Sequence, residues 1–558
     1  MTAAAYQPAA TPQRTVLPRR PGAAAIATRL QTWRPGLSDR ALGWLLPLLI
    51  TAIAFVLRLR DVSNVYNVAK GTPSGQIFDE VYYANDAWSL LHHGVEGFEP
   101  HSGIRAVHPP LGKWMMAASE AVFGLTPLGW RFSSVVCGSL IVLVTARLGR
   151  RLTRSTLLGT LAGLLVSLDG LEFAQSRLGI LDIFLCFWLV CAAACLAADR
   201  DSGRARLAAR VAAGASTAWP GPKLGIRWWR LAAGVSLGAA CAVKWSGLPY
   251  IPLAILVAVC GDAGARRALG VRAPWRAALW RDWGGYGVAL LLVPTVVYTA
   301  SWTGWFVTGK GYQYDYHRTA TASSTVANGG GVVSDLRAWW HFHDDTLCFH
   351  ENLTNDPHPL PARCSGQSPT ESSHHPYESK PFGWLVLGRP VALAYDTVQA
   401  GQSENGHVCT ATGGSTCARA VLDVGTPALW WGGLLAVIGC AAAFVARRDW
   451  RAGFVVALFA AGFVPWLSNT ERVMFLFYAL PLVPVYAVAV AVVSGWAFGG
   501  GASATPLRRG VAAGAVGAFT LLVLGDFAWL YPVIDGQVIP YHSWAERTIT
   551  GFGFPGWL

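Results

Sequence analysis

An all-α polytopic membrane protein is the fold class this sequence predicts, and three observations predict it. Apolar residues come in runs of roughly 17–22, long enough for a helix to cross a hydrocarbon layer about 30 Å thick. Hydrophobic residues make up 53% of the 558 and charged residues only 13%, with a mean hydropathy of +0.37. That is too apolar for an ordinary soluble domain. The basic residues sit in short loops between the runs, as topology signals do. The net charge of +13 therefore reads as membrane orientation, and no nucleic-acid partner is expected.

Residues 1–40, rich in Ala, Pro and Arg, read as a disordered basic cytosolic tail. They lack the short apolar core that a cleavable signal needs. A transmembrane domain is expected over 41–531, with eleven candidate spans at 42–59, 127–147, 156–174, 180–198, 229–246, 248–262, 284–304, 427–446, 452–468, 473–495 and 510–531. With that count the Arg-rich segments 1–40, 147–154, 200–230, 266–281, 447–451 and 508–509 fall on one face. Together they hold 27 of the 44 Lys and Arg residues. Cytoplasmic loops are the Lys/Arg-rich ones, so the N-terminus is expected inside and the C-terminus outside. The run 111–124 would break this alternation as a twelfth span. It is also short, and is expected as an external helix lying along the membrane.

Three external pieces follow: a first loop at 60–126, a large loop at 305–426 and a tail at 532–558. Four of the eleven cysteines, Cys348, Cys364, Cys409 and Cys417, fall in the large loop, where an oxidising compartment permits disulfides. Of three connectivities, the local pairing Cys348–Cys364 and Cys409–Cys417 is expected. The other seven lie in apolar spans as small hydrophobes. No cysteine pair has zinc-site spacing and no cofactor is firmly implied, but His341, His343, His350, His358, His374 and His375 leave a divalent metal open.

Charged side chains collect at the outer ends of the spans. Asp169, Glu172 and Arg177 follow the third, Asp182 opens the fourth, Lys244 ends the fifth, and Glu471 and Arg472 begin the tenth. The first loop adds Asp79, Glu80 and Lys113. Each alone reads as a snorkelling residue or a helix cap; Asp79 could cap a helix starting at Glu80. Together they place both signs at one membrane depth. Cations there suit a phosphate at the end of a lipid chain. A carboxylate suits removal of a proton from an attacking hydroxyl. No Gly-rich nucleotide loop appears on the cytosolic side, so the energy would arrive in the donor. A transporter would instead place charges near the midplane and break paired spans, and neither feature is present.

Six stretches carry a family resemblance: Phe78-Asp79-Glu80-Val81-Tyr82-Tyr83, His108-Pro109-Pro110-Leu111-Gly112-Lys113, Ser176-Arg177-Leu178-Gly179-Ile180-Leu181-Asp182, Val243-Lys244-Trp245-Ser246-Gly247-Leu248, Tyr377-Glu378-Ser379-Lys380-Pro381 and Phe475-Leu476-Phe477-Tyr478-Ala479-Leu480-Pro481. They resemble the protein O-mannosyltransferase family from the first span to the last. One departure is Phe382-Gly383-Trp384, where the family has a Trp directly after Lys380-Pro381. The resemblance implies a GT-C glycosyltransferase fold of eleven spans. It implies inverting transfer of mannose from a polyprenyl-phosphate mannose to Ser/Thr hydroxyls of exported proteins, at the outer face of the plasma membrane. Asp79 is then the catalytic base and Glu80 shapes the acceptor site. Arg177 and Lys244, with Lys113 and Arg472, are candidates for the donor phosphate, supported by His108 and Asp182. The large loop is too short for the β-rich domain of eukaryotic members, which favours a bacterial one. Expected partners are the lipid-linked donor, Ser/Thr-containing exported proteins and the secretion channel. A related transferase acting on a lipid or envelope glycan is the alternative.

Overall fold

A computed structural model describes residues 36–65, 75–97, 107–316, 331–354, 364, 375–404, 407–412, 415–499 and 505–548. Residues 1–35 of the expected tail at 1–40, His358, His374 and the last ten residues lie outside them; the tail's last four residues, Leu37–Arg40, instead form the start of the first helix. Helices carry most of the fold. In chain order they are α1 (Leu37–Leu59), α2 (Glu80–His93), α3 (Leu111–Phe123), α4 (Pro127–Thr153), α5 (Thr156–Ser167), α6 (Gly170–Gln175), α7 (Leu181–Ala212), α8 (Trp228–Val243) and α9 (Tyr250–Ala268). Next come α10 (Pro274–Gly287), α11 (Val293–Ser301), α12 (Thr303–Thr308), α13 (Val332–Asn352) and α14 (Pro381–Trp384). After the strands β1 (Val391–Gln399), β2 (Ser403–Glu404), β3 (His407–Val408) and β4 (Thr416–Asp423) follow α15 (Pro427–Arg447), α16 (Trp450–Phe463), α17 (Leu482–Phe498) and α18 (Pro506–Asp535). A strand β5 (Val538–Pro540) and a helix α19 (Tyr541–Arg547) close the described chain.

Among the described residues, eight helical runs are long and apolar enough to cross a membrane by length and composition. Shorter apolar helices, α5, α8 and α17, lie over the three remaining expected spans. Each gives way to irregular backbone beside charged residues. Asp169 caps α6 just beyond α5 and Lys244 ends α8. A 3-10 turn at Leu476–Ala479 precedes α17. The run 111–124 forms a helix, α3.

Small residues let the apolar helices approach closely, as membrane helices require when no aqueous driving force presses them together. A Cβ on Gly159 of α5 would lie 2.6 Å from the Ala146 carbonyl oxygen of α4. Buried polar clips then fix the helix ends. Arg58 of α1 pairs with Glu172 of α6. Asp169 accepts hydrogen bonds from the Thr426 amide (3.1 Å) and the Trp430 indole (2.8 Å), and Gln175 binds Asp423.

The large loop holds structure the sequence reading did not anticipate. β1 pairs antiparallel with β4, and β4 with β5 of the C-terminal tail, giving the order β1-β4-β5. β4 is buried along nearly its whole length, and Arg419 within it donates to the carbonyls of Gly536, Asn64 and Val65. The sheet thereby ties the first loop to the end of α18. Both expected disulfides, Cys348–Cys364 and Cys409–Cys417, are formed. A second, smaller compact unit comprises 200–225 and 259–283. It is built on Leu207, Leu224 and Ala265 and an Arg266–Asp282 ion pair at 2.6 Å.

Candidate active site

The acidic doublet is split by its surroundings. Phe78 turns the chain with φ 51°, a left-handed conformation costly for a bulky residue, and Phe475 and Phe477 hold its ring edge-on at 6.2 and 5.9 Å. Glu80, fully buried, accepts two hydrogen bonds from Arg131 (both 2.7 Å), one from the Gly179 amide (2.7 Å) and one from the Ile77 amide (3.0 Å). Every lone pair it needs to satisfy is taken. Asp79 is partly buried and makes no capping bond to α2; its Oδ2 accepts from the Tyr83 hydroxyl at 3.2 Å. Burial pushes its carboxyl up from 3.8 to about 6, against the pull of Lys244 and the Tyr83 hydrogen bond. It is a stronger base than a carboxylate in water, and still mostly ionised at neutral pH.

Lys244 reaches both oxygens of Asp182 at 3.0 and 2.9 Å and lies 4.4 Å from the centre of the Tyr478 ring. It also lines a cavity of about 410 Å³ whose polar wall includes His108, Trp245, His350, Asn469, Arg472 and Tyr478. Leu185, Pro249, Ala461, Pro465 and Pro481 make part of its apolar wall. Arg472 Nη2 donates to His350 Nδ1 at 3.2 Å, and its guanidinium sits 5.7 Å from the Tyr478 ring centre. Its Nη1 is buried and has no hydrogen-bond partner among the described residues. Burial and the Arg472 charge bring His350 down to about 4. Burial and Lys244 hold His108 well below its ordinary value. Both rings are neutral at pH 7. Lys244 is paired with Asp182, whereas Arg472 meets no carboxylate among the described residues.

The helix α13 brings His350 there. Its Ala338 and Phe342 are buried with Val95, Trp302 and Trp305. His343, two turns before His350, stacks on Trp245 at 5.8 Å, and Trp245 meets His350 at 6.0 Å. The Tyr298 hydroxyl joins the Trp245 indole (3.0 Å) to His343 (2.6 Å).

Of the expected site residues, the structure brings Lys244, Arg472 and His108 to the cavity wall; Asp182 is bonded to Lys244 and Asp79 feels the Lys244 charge, but neither carboxylate lines the cavity. Three others are placed differently. Arg177 pairs with Asp535 at 3.0 Å and donates to the Leu57 carbonyl. Lys113 pairs with Glu96 (2.6 Å) and Asp86 (3.4 Å). Glu80 is closed in by Arg131. None of these three lines the cavity. His350 stood in the sequence only among metal candidates, Trp245 and Tyr478 only within the stretches of family resemblance with no role given, and Asn469 was not named. The seven-residue spacing of His343 and His350 on a helix with a Trp/Phe face was the available signal. Among the described residues no three His, Cys, Asp or Glu side chains gather as a metal site needs. Trp384, displaced relative to the family pattern, still packs against Trp466 and Tyr478 of the cavity wall.

Residues 49–306 match the family model of dolichyl-phosphate-mannose-protein mannosyltransferases. A polyprenol-phosphate-mannose–protein mannosyltransferase of Mycolicibacterium smegmatis (strain MKD8) is 39% identical over 511 residues, covering 91% of this chain and 92% of the relative. The chain belongs to the protein mannosyltransferase family. A Mycobacterium tuberculosis (strain CDC 1551 / Oshkosh) relative of the same description is 36% identical over 513 residues, covering 91% of each. The S. cerevisiae protein O-mannosyltransferase complex, solved with its sugar donor, superposes with a TM-score of 0.66 at 13% identity, over 97% of this chain and 95% of that one. At that identity the likeness speaks for the fold. This mannosyltransferase-family enzyme is a multi-pass membrane glycosyltransferase with the GT-C fold.

Proposed function

We propose that the enzyme moves mannose from a polyprenyl-phosphate mannose to Ser/Thr hydroxyls of exported proteins, at the outer face of the plasma membrane and with inversion at the anomeric carbon. The observation that carries this is the pairing of a basic carboxylate, Asp79, with a cavity wall on which Lys244 acts on it and Arg472 meets no carboxylate among the described residues. Asp79 takes the hydroxyl proton as the oxygen attacks C1 of mannose. The bond from C1 to the phosphate oxygen breaks in the same displacement, and its electron pair leaves with the polyprenyl phosphate. The phosphate gains negative charge as it departs. Lys244 and Arg472, fixed before the reaction, stabilise that charge more than the ground state.

Glu80 positions the acceptor side by fixing the turn that carries Asp79. Arg177 and Lys113 hold the outer scaffold together. The apolar lining accepts the start of the lipid chain. The cytosolic N-terminus, the external C-terminus, the division at residues 40 and 531, and contact with the secretion channel belong to the same reading. Purified enzyme given radiolabelled polyprenyl-phosphate mannose and a Ser/Thr-rich peptide should label the peptide. Label that enters only lipid or envelope glycan would replace this reading by the glycan-acceptor one.

A further inference from the structure

His350 makes two hydrogen bonds that fix its protonation. Its Nε2 lies 3.1 Å from the Val107 carbonyl oxygen, an atom that only accepts, so Nε2 carries the proton. Its Nδ1 is then a bare acceptor, and the Arg472 Nη2–H points at it from 3.2 Å. A doubly protonated ring would face Arg472 with a donor and a like charge. The ring plane is held as well: His108 stacks on it at 5.6 Å and 27°, while Trp245 meets it at 6.0 Å. Arg472 is otherwise held by the face of Tyr478, 5.7 Å from its guanidinium, and through its backbone, whose amide bonds to Asn469 Oδ1 at 3.2 Å and which forms a β-bridge to Thr354. Of its side-chain nitrogens, Nη1 is the buried one with no partner among the described residues. No carboxylate pairs with it among the described residues.

A guanidinium is planar, so anchoring one edge sets the direction of the other. We propose that His350 is a positioning residue: its neutral ring bridges the Val107 carbonyl to Arg472 and so aims the free edge of that guanidinium at the phosphate of the lipid donor. A histidine suits this task because it donates and accepts at once without adding charge. A carboxylate would grip Arg472 harder and cancel the charge that the phosphate needs. The inference rests on the assignment of Arg472 to the donor phosphate made above.

The test is a double-mutant cycle on full-length enzyme in detergent, reading the Kd of a polyprenyl phosphate together with kcat and KM for the mannosyl donor. Arg472→Gln should weaken polyprenyl phosphate binding by about 10- to 100-fold, the usual worth of a charge-assisted contact. His350→Phe keeps the stacking, loses both hydrogen bonds, and should weaken binding about 5- to 10-fold. In the Arg472→Gln background the same change should cost less than about twofold, because nothing remains to be aimed. His350→Gln, which can donate to Val107 and accept from Arg472, should recover most of the loss. If His350→Phe does not fold, His350→Asn, too short to reach both partners, replaces it in the cycle. Additive losses, or a Gln variant as weak as the Phe variant, overturn the proposal. An unchanged Kd in Arg472→Gln overturns instead the assignment of Arg472 to the phosphate.

Discussion

Asp79→Asn separates chemistry from stability, because the same burial that makes Asp79 a better base makes it a strained occupant of the fold. Its carboxyl titrates at about 6 instead of 3.8. The folded state therefore binds the proton more tightly than the unfolded chain. Between those two values, rising pH removes stability, and above pH 6 the full cost of holding the charge is present. At 1.36 kcal/mol per pH unit this cost is on the order of 3 kcal/mol at pH 7. Asn has the same shape, can accept the Tyr83 hydroxyl bond, and carries no charge to desolvate. The variant should thus unfold at a higher temperature than wild type at pH 7.5, with the gap closing toward pH 4. Its turnover should fall by about 10²–10⁴, the worth of a general base. Detergent-solubilised protein followed by thermal unfolding at several pH values, alongside mannose transfer, measures both. Normal turnover would remove Asp79 from the reaction, and a lower midpoint at pH 7.5 would refute the burial argument.

Below pH about 6, kcat/KM for wild type should fall roughly tenfold per pH unit as Asp79 takes up its proton, and a profile flat to pH 5 would contradict the assigned base. Glu80→Gln leaves the buried Arg131 charge without its counter-ion; breaking such a pair costs about 3–5 kcal/mol, so the variant should lose membrane-inserted yield or thermal stability, read by detergent extraction and melting. Arg177→Gln, recovered as folded protein, should bind polyprenyl phosphate within about threefold of wild type, in contrast to the loss of about 10-fold or more expected of Arg472→Gln. Equal losses in the two variants, measured by titration, would return Arg177 to the donor site.

Much of the architecture was legible because membrane spans are local signals. An apolar run announces a helix wherever it occurs, and Arg in the connecting loops orders the runs. The sheet was not legible. β1 and β4 pair within one loop, but β5 comes from beyond α18, and nothing in Val538–Pro540 names its partner. Helix α13 was hidden for a different reason: its buried face is aromatic and histidine-rich, so its hydropathy resembles that of a loop. In the site, Asp79 and Lys244 could be read from their flanking residues. The division of labour among the cations could not, because it depends on what each one meets across long stretches of chain.

The charge of the partner decides that division. Arg58, Arg131, Arg177 and Lys113 each meet a carboxylate, and such buried pairs, once satisfied, have little attraction left for a ligand. Their use is specificity: each joins elements that the hydrophobic effect alone would let slide within a lipid solvent. Arg472 meets a neutral imidazole and the face of Tyr478. Those partners orient the guanidinium without satisfying it, which leaves a fixed, partly desolvated positive charge. Lys244 is intermediate, bound to Asp182 yet felt by Asp79. In the proposed reaction a phosphate would share Lys244 with Asp182 and take the unpaired Nη1 edge of Arg472. As it left with one more negative charge, both contacts would strengthen, and that gain at the moment of bond breaking is what a static cation wall would contribute to the rate under the proposed mechanism.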